Sequence, residues 1–405
     1  MRIIGLLFLF ILLYACKSVK PIKDDYKNKP TFELIEEEKY TKLVLSAENT
    51  PEYLPKLEGK KVGILTNQTS VIHLNDSLTH LVDFLMDQCV NLTTIFAPEH
   101  GFRGTADAGE LIKDGKDTKT GLPIVSLYGS NRKPTAEQLN NLDVVIFDLQ
   151  DVGARFYTYI SSLHYLMEAC AEQCIQVIVL DRPNPNIHVI DGPVLDMKNK
   201  SFVGMHPIPI LHGMTIGEYA QMINGEKWLK DGLHADLKVI PLANYHRNTS
   251  YSLPVRPSPN LPNDQAINLY ASLCLFEGTN VSVGRGTEKQ FQIYGSPFIK
   301  DKAFSFIPQP NFGAKDPLHK GVPCYGENLE NTEKLKQLEI KWLIDAFNST
   351  ENKTDFFNNF FIKLSGTSEL KTQIELGLSE ADIRASWQDG LEAFKAMRKK
   401  YLIYE

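Results

Sequence analysis

Acidic side chains stand at three points in this sequence where a short apolar run, typical of a buried strand, comes to an end. The residues are Glu99, Asp148 and Asp181, and Asp151 follows shortly after the second of them. Open parallel sheets bind their ligands at the carboxyl ends of the strands. One such acid is commonly a helix cap or a loop acceptor. Three in one sheet predict a polar, carboxylate-rich cleft whose carboxyl groups can exchange protons with a ligand.

Each of these acidic segments also carries an arginine, at Arg103, Arg155 and Arg182. A guanidinium group binds a carboxylate through two parallel, charge-assisted hydrogen bonds. These side chains can therefore bind an anionic group of a ligand, or they can pair with an acid of the protein and hold a loop. The residues alone leave both roles open.

Several common chemistries have no support in the sequence. No G-x-G-x-x-G follows a strand and no G-x-x-x-x-G-K-[ST] is present, so nothing indicates a nucleotide cofactor. The segment around Ser282 lacks the first glycine of G-x-S-x-G and its strand-turn-helix context. There is no H-E-x-x-H, and adjacent residues such as Glu99 and His100 rarely ligate one metal together. We predict a site without a cofactor and without a metal.

The apolar runs and the segments between them predict the elements that position these residues. The runs are rich in β-branched residues and do not alternate strictly, which is typical of strands buried on both faces. Helical patterns lie between them, as in βαβ units with a parallel sheet. The predicted strands cover 62–66, 92–96, 123–127, 143–147 and 176–180, and the predicted helices cover 78–89, 135–141 and 157–174. Residues 51–260 are therefore predicted to form a Rossmann-like domain.

Two further signals lie toward the end of this domain. A capping box at 215–218 predicts a further helix start, and a proline cluster at 255–262 marks a domain boundary. We predict a smaller mixed α+β domain at 261–405. It ends in a helix at 380–401, whose apolar stripe includes Trp387 and is expected to be core.

Length and charge exclude other classes of protein. The chain has 405 residues and a net charge of −6, from 43 Lys and Arg against 49 Asp and Glu. The length allows two domains with sizeable cores. The charge lacks the basic excess that binding to a phosphate backbone requires. We therefore expect a folded protein that does not bind nucleic acid.

The N-terminal segment predicts export and lipid anchoring. The apolar run at 3–15 is shorter than the ~20 residues of a membrane span and is typical of a secretory signal. It leads into Cys16 within Leu-Tyr-Ala-Cys, which resembles a bacterial lipobox. A plain signal peptide cut near Ala15 is the alternative. We predict a lipoprotein signal at 1–16, a charged tether at 17–50 and a lipid-anchored location in the bacterial cell envelope, at the periplasmic face or the outer membrane.

Five longer segments make the sequence recognisable. They are 97–104 (APEHGFRG), 148–159 (DLQDVGARFYTY), 180–185 (LDRPNP), 257–262 (PSPNLP) and 275–287 (LFEGTNVSVGRGT). In matching order, over the chain from about residue 50 onward, they resemble the NamZ family of exo-β-N-acetylmuramidases. The resemblance implies a glycoside hydrolase of peptidoglycan turnover that removes N-acetylmuramic acid from the non-reducing end of glycan fragments. It also implies a Rossmann-like domain and a smaller C-terminal domain, with the active site between them.

Under this resemblance, Glu99 is the predicted catalytic acid. Glycosidic cleavage needs a carboxylic acid that protonates the leaving oxygen and usually a second carboxylate. Glu99 resembles the acid of the family's Pro-Glu-His-Gly motif, and His100 beside it can tune or relay the proton. Asp151 and Asp148 compete for the second role, with Glu277 as an outside candidate, and the N-acetyl group of the substrate can itself act as nucleophile. The alternative role for Glu99 is to anchor substrate hydroxyls.

The substrate also needs recognition of its acidic group. N-acetylmuramic acid carries a lactyl ether with a carboxylate, which a guanidinium group can bind. We expect one of four arginines to bind it and at least two of the four to pair with acids of the protein; the four are Arg103, Arg155, Arg182 and Arg285. The full set expected to contact substrate is Arg103, Arg155, Tyr157, Asp181, Arg182, Asn184, Asn260, Glu277 and Arg285.

A cell-envelope binding protein that closes on a muropeptide or sugar without cleaving it is the alternative function. Two-lobed α/β binding proteins share this layout, and a fold does not determine a function. The number of acids exceeds what recognition of an anionic sugar needs, which favours the enzyme. The expected ligand in both cases is a peptidoglycan-derived muropeptide or disaccharide, and the expected contact with the membrane is the lipid anchor alone.

Overall fold

A seven-stranded sheet built largely from the apolar runs is the centre of the computed structural model. The structure describes residues 42–74, 76–103 and 114–405, and Lys42–Glu405 pack as one unit. The predicted signal at 1–16, its Cys16 and most of the predicted tether lie outside the described residues.

The strands and helices alternate along the first half of the chain and become mixed in the second. The strands are β1 Val62–Thr66, β2 Val71–Leu74, β3 Ser77–His80, β4 Leu92–Ala97, β5 Gly115–Lys116, β6 Pro123–Ser126, β7 Val144–Asp148, β8 Gln176–Leu180, β9 Leu237–Ile240, β10 Ile293–Ser296, β11 Phe304–Phe306 and β12 Cys324–Asn328. The helices are α1 Thr50–Leu57, α2 Leu81–Asp87, α3 Ala136–Leu139, α4 Tyr159–Glu172, α5 Ile216–Gly225, α6 Asp264–Leu273, α7 Lys341–Ser349, α8 Phe361–Ser365, α9 Glu369–Glu375, α10 Glu380–Ser386 and α11 Gln388–Arg398.

The large sheet has the order β5-β6-β4-β1-β7-β8-β9. All neighbours pair in parallel except β5, which lies antiparallel at one edge. The five predicted strands correspond to β1, β4, β6, β7 and β8, so the predicted α/β class with a parallel sheet is confirmed. Because these strands are parallel, the residues that follow them meet at one edge of the sheet.

The central strands are buried on both faces, as their sequences predict. Every residue of β7 is buried. Val145 and Phe147 enter one apolar cluster, whereas Val144 and Ile146 enter a second cluster on the opposite face. Successive side chains of a strand point to opposite faces, so a strand covered on both sides needs a continuous apolar run.

The helix predicted at 78–89 needs correction at its start. The segment predicted as one helix at 78–89 begins as strand β3, which pairs antiparallel with β2, and α2 starts only at Leu81. The His80 side chain caps α2 by accepting a hydrogen bond from the Val82 amide.

The helix start predicted at 215–218 is confirmed, because Thr215 and Glu218 form a reciprocal capping box on α5.

The predicted C-terminal helix at 380–401 is broken in two. Trp387 lies between α10 and α11 with φ −107° and ψ 4°, outside helical geometry. Its side chain is buried together with Ile383, Leu391 and Phe394. The apolar stripe is therefore core, as predicted, although the backbone does not remain helical along its whole length.

The second half of the chain contains the smaller sheet. Strands β10, β12 and β11 form a three-stranded antiparallel sheet in that order. Together with α6 to α11 it gives the mixed α+β architecture expected for this part. Among the helices that the structure describes, none has the length and apolarity needed to cross a bilayer.

Candidate active site

A cavity of about 380 Å³ opens beside the carboxyl end of β4. Its wall from the first half of the chain consists of Glu99, His100, Tyr128, Arg132, Phe156, Tyr157, Thr158, Tyr159, Ser201, Phe202 and Val203. Its wall from the second half includes Ser258, Leu261, Tyr270, Cys274, Glu277, Arg285, Phe291, Phe360, Lys363 and Leu364. The cavity therefore lies between the two parts of the chain, and both carry charged groups into it.

Glu99 is held by hydroxyl groups on both of its carboxylate oxygens. It follows β4, and the chain turns immediately after it, with positive φ of 71° at His100 and 75° at Gly101. Tyr128 donates to Oε1 at 3.0 Å, and Thr158 donates to Oε2 at 3.0 Å. These bonds hold the carboxyl group in one orientation toward the cavity.

Thr158 reaches Glu99 because it stands at the start of α4. It occupies the N-cap position of this helix but makes no side-chain capping bond there. Its hydroxyl is instead committed to the Glu99 carboxylate. The sequence thus places a potential helix cap in the site, where it orients an acid.

Aromatic rings form one side of the cavity. Tyr157 and Tyr159 meet edge to face, with ring centroids 4.8 Å apart. The Tyr157 hydroxyl donates to the Pro257 carbonyl at 2.7 Å, and burial raises the pKa of both tyrosines. These phenols therefore remain neutral, and they offer an apolar surface of the kind that packs against a sugar ring.

Glu277 and Arg285 form an ion pair within the lining. Arg285 Nε lies 2.7 Å from Glu277 Oε1, and its guanidinium lies over the Phe291 ring, 5.1 Å from the centroid. Burial disfavours the charge on Arg285, but the Glu277 carboxylate outweighs burial and raises the arginine pKa. The Cys274 thiol donates to Glu277 Oε2 at 3.5 Å.

Two further cations line the cavity. The Arg132 guanidinium lies over the Phe202 ring, 4.3 Å from its centroid, and Lys363 projects from α8. Neither forms an ion pair with a carboxylate in the part of the chain that the structure describes. The Glu277–Arg285 pair is neutral, so among the described lining residues Arg132 and Lys363 add two positive charges and Glu99 adds one carboxylate.

Asp148 and Arg182 lie away from this lining, in a buried ion pair. Arg182 Nε donates to Asp148 Oδ1 at 2.6 Å and its Nη2 donates to Oδ2 at 2.8 Å. Asp148 is 0% exposed and Arg182 is 3% exposed. Burial opposes the charge on Arg182, but the Asp148 carboxylate outweighs it and raises the pKa of Arg182. Each group satisfies the other, which favours a structural role.

The Asp181 carboxylate also accepts hydrogen bonds from other groups of the protein. Its Oδ1 accepts hydrogen bonds from the amides of Arg182 and Gly217, and its Oδ2 accepts from the hydroxyls of Thr215 and Tyr404. Burial raises the pKa of Asp181 to about 7. The carboxyl group thus ties the end of β8 to the start of α5 and to the C-terminal residues.

Asp151 lies on a buried turn beneath the site. Its Oδ2 accepts from the Gly153 amide at 2.6 Å and lies 3.7 Å from His212 Nε2. Gly153 has a φ of 79°, and a Cβ there would come within 2.4 Å of the Asn184 amide group. Asn184 in turn donates to the Met214 carbonyl at 2.9 Å. This tight packing fixes the loop that leads into α4.

Arg155 holds the two parts of the chain together. It is fully buried, and Nη1 donates to the carbonyls of Pro193 and Ile208. Nη2 donates to the carbonyls of Leu364 and Ser365. Burial lowers the pKa of Arg155 to about 9. Its donors face backbone rather than the cavity.

The two remaining predicted contacts are made by Arg103 and Asn260. Arg103 forms a bidentate pair with Asp117, with its Nη2 2.9 Å from Oδ2. Asn260 donates to the Gly313 carbonyl at 2.6 Å. Neither side chain is part of the cavity lining.

Comparison with known proteins shows which family the chain belongs to. A family model described as "Exo-beta-N-acetylmuramidase NamZ, N-terminal" matches residues 62–265, and one described as "Exo-beta-N-acetylmuramidase NamZ, C-terminal" matches residues 268–404. The chain belongs to the NamZ family. Membership confirms the resemblance found in the sequence and makes the protein a glycosidase.

Individual relatives agree with the NamZ assignment. The Bacillus subtilis (strain 168) protein named peptidoglycan beta-N-acetylmuramidase NamZ is 41% identical over 376 residues, which cover 87% of this chain and 89% of that protein. Two crystal structures of DUF1343 family proteins from Bacteroides fragilis NCTC 9343 are similar in fold. One has 45% identity and a TM-score of 0.83. The other has 28% identity and a TM-score of 0.74. Each alignment covers 90% of this chain and 99% of the other.

In this NamZ protein, the cavity brings together only part of the predicted residue set. Glu99, His100, Tyr157, Glu277 and Arg285 line it. The predicted residues outside the lining are Arg103, Asp148, Asp151, Arg155, Asp181, Arg182, Asn184 and Asn260. Their side chains contact other protein groups, and their predicted roles toward substrate stay predictions.

No motif in the sequence indicated that the other residues would line the cavity. Tyr128 and Arg132 lie in an irregular loop between β6 and α3, and Lys363 lies far along the chain on a short helix. Thr158 lies within one of the five recognised segments, but a threonine before a helix normally predicts a cap. In the part of the chain that the structure describes, no three His, Cys, Asp or Glu side chains are grouped as a metal site.

Proposed function

We propose that this protein is an exo-acting glycosidase that releases N-acetylmuramic acid from the non-reducing end of peptidoglycan fragments, with Glu99 as the proton donor. Membership of the NamZ family supports the reaction. The observation that carries the assignment of the acid is the position of Glu99, in the cavity wall and with both carboxylate oxygens held by hydroxyl groups.

The hydroxyl partners suit a group that must gain and lose a proton. Cleavage passes through an oxocarbenium-like transition state, and an acid has to protonate the leaving oxygen. Tyr128 and Thr158 donate to the Glu99 carboxylate. A hydroxyl group can also accept a hydrogen bond, so the protonated carboxyl group keeps a partner as well. Glu99 can thus change its protonation state without leaving a buried polar group unsatisfied.

Glu277 is the second carboxylate that lines the cavity among the described residues. Its charge-assisted bond to Arg285 fixes its orientation. From there it can activate water or orient the N-acetyl group of the substrate, whose carbonyl oxygen can itself act as the nucleophile. Asp148 and Asp151, the two candidates that compete in the sequence, lie outside the lining. Asp148 is paired with Arg182, and Asp151 accepts a hydrogen bond from the Gly153 amide.

The charge of the cavity supports an anionic sugar. With Glu277 and Arg285 paired, the described lining residues leave two cations, Arg132 and Lys363, and one further carboxylate, that of Glu99. N-acetylmuramic acid adds a negative charge that this arrangement can bind. A neutral sugar would leave the cationic excess uncompensated.

The test is release of free N-acetylmuramic acid from a disaccharide that carries this sugar at its non-reducing end. Glu99→Gln keeps the size of the side chain and removes the transferable proton. Turnover should fall by about 10²–10⁴-fold, the usual contribution of general acid catalysis, while binding of the disaccharide is retained. The exposed Glu330→Gln serves as the control with the same chemical change and should keep full activity.

Two results would contradict the proposal. Full turnover by Glu99→Gln would remove Glu99 from the role of acid. Binding of the disaccharide by the parent protein with no cleavage would instead favour the envelope binding protein, and the acids would then serve recognition.

We also propose that Cys16 carries the lipid anchor in the cell envelope, on the evidence of the sequence at 3–16. Metabolic labelling with a radioactive fatty acid should label the protein, and Cys16→Ser should abolish the label. Equal labelling of the variant would contradict the anchor.

A further inference from the structure

We infer that Arg132 binds the lactyl carboxylate of N-acetylmuramic acid and so distinguishes this sugar from neutral N-acetylhexosamines. The inference rests on the proposed function, because it names the group that recognises the substrate of the same cavity.

The four arginines expected from the sequence are already engaged. Arg182 is paired with Asp148 and Arg103 with Asp117. Arg285 is paired with Glu277. Arg155 donates to four backbone carbonyls. A carboxylate ligand would have to displace a protein partner from any of them, at the cost of leaving that partner unsatisfied.

Among the residues that the structure describes, none competes with a ligand for the Arg132 guanidinium. It lies in the cavity lining, and its guanidinium lies over the Phe202 ring. In residues 42–74, 76–103 and 114–405, it makes neither a hydrogen bond nor an ion pair with a carboxylate. Contact with a ring face uses none of the five N–H donors, so the fork that matches a carboxylate stays available.

The loop around Arg132 is fixed on both sides. The preceding Asn131 donates to the Ser126 carbonyl at 2.9 Å. The following Lys133 binds Glu168 at 2.7 Å and Glu172 at 2.8 Å on α4. The backbone of Arg132 is therefore held in place before a ligand arrives, which lowers the entropy cost of binding.

The same loop connects Arg132 to the proposed proton donor. Tyr128 lies four residues before Arg132 and donates to Glu99. The guanidinium and the acid thus face one cavity from neighbouring positions of one loop and one strand end. The lactyl ether belongs to the sugar ring that is cleaved off, so its carboxylate must be bound on the side of the cavity that holds this ring.

Lys363 is the rival cation in the lining. Its ammonium group is a compact point charge without the planar fork of a guanidinium. It also projects from α8, in the opposite wall of the cavity. We therefore assign the carboxylate to Arg132, and the experiment treats Lys363 as the competing answer.

The experiment compares two chromogenic β-glycosides with the full-chain protein. One carries N-acetylmuramic acid, and the other carries the same sugar with its lactyl group converted to the neutral methylamide. Arg132→Gln should lower kcat/KM for the acid by about 10–100-fold, the range expected for a hydrogen-bonded pair with a charged group. The same variant should change kcat/KM for the methylamide by less than about 3-fold, since that substrate never makes the pair.

Three further variants complete the design. Lys363→Gln removes the rival cation. The exposed Arg256→Gln removes the same charge two residues before the lining residue Ser258, and it should leave both substrates unaffected. Arg132→Lys keeps the charge without the fork, and it should recover only part of the preference for the acid. It also covers the case in which Arg132→Gln fails to fold.

Different results would contradict the role of Arg132 and the proposed glycosidase function. Equal losses on both substrates in Arg132→Gln, or a selective loss in Lys363→Gln alone, would overturn the role of Arg132 while the parent still prefers the acid. A parent protein that cleaves neither glycoside would overturn the proposed function. Loss of the preference for the acid in Arg132→Gln alone would support the inference.

Discussion

The ends of strands β4 and β7 have similar sequences and opposite surroundings. Each carries an acid with an arginine a few residues further on. Glu99 after β4 is half-buried, lines the cavity and accepts hydrogen bonds from two hydroxyl groups. Asp148 at the end of β7 is fully buried and holds a guanidinium in a bidentate pair.

Neighbouring strands explain the difference. Strand β7 lies beside β8, whose end supplies Arg182 to Asp148. Strand β4 lies between β1 and β6. Strand β1 ends in Thr66, and the segment after β6 supplies the Tyr128 hydroxyl. The Glu99 carboxylate therefore accepts hydrogen bonds from the hydroxyls of Tyr128 and Thr158. The order of the strands, rather than the local sequence, separates a buried and paired acid from one that lines the cavity.

The largest expected effect on stability comes from breaking the buried pair. Arg182→Met leaves the Asp148 carboxylate in the core without its counter-charge, and removal of one partner of a buried ion pair costs about 3–5 kcal/mol. Urea denaturation should show this loss of unfolding free energy. Lys289→Met breaks the Lys289–Glu330 ion pair, whose side chains are 42% and 43% exposed, so it should cost less than about 1 kcal/mol. Equal losses in the two variants would contradict the contrast between a buried and an exposed pair.

Asp181, the third acid at a strand end, should make the stability of the protein depend on pH. Burial raises the pKa of Asp181 to about 7 from a model-compound value of 3.8. Between about pH 4 and pH 7 the unfolded chain releases this proton while the folded protein keeps it, so stability falls as pH rises. The fall should be on the order of 3 kcal/mol across this window.

Asp181→Asn isolates that contribution, because it removes the titrating group. The parent protein should lose stability relative to this variant as pH rises from 4 to 7, and the difference should level off above pH 7. Denaturation midpoints at several pH values provide the measurement. A difference that stays constant with pH would show that Asp181 ionises alike in the folded and unfolded states.

The smallest effects should come from the hydroxyl groups that orient Glu99. Tyr128→Phe and Thr158→Val each remove one hydrogen bond, worth about 0.5–1.5 kcal/mol. Each should therefore lower kcat by several-fold, with little change in KM and in stability. The exposed Tyr325→Phe is the matched control and should be neutral. A rise in KM with kcat unchanged would instead indicate that the hydroxyl binds substrate.

Sequence predicted the sheet well, because continuous β-branched runs are an unambiguous signal for strands buried on both faces. It missed the β2–β3 hairpin, whose residues at 71–80 merge into a helical pattern, and it missed β9 at the sheet edge. It also predicted one C-terminal helix where Trp387 interrupts the backbone. An apolar stripe reports which side chains are buried, and two consecutive helices packed on one core preserve the same stripe.

The recognised segment at 97–104 singles out Glu99 in the sequence, and the structure places this residue in the cavity lining. The other acids share its position at strand ends, and only the strand order shows which ones meet an arginine. Arg132 and Lys363 come from a loop and a short helix without any motif. Their convergence depends on the tertiary fold, which no local spacing in the chain expresses.

The bonds of Asp181 and Glu218 to the C-terminal residues have a consequence for biosynthesis. The Tyr404 hydroxyl binds Asp181 across 223 positions of chain, and the Ile403 amide binds Glu218. Until the C-terminal residues have been translated, Asp181 after β8 and Glu218 on α5 lack these donors. The bonds can form only after residues 403 and 404 have been made, so a chain truncated before residue 403 should be cleaved by proteases faster than the full chain.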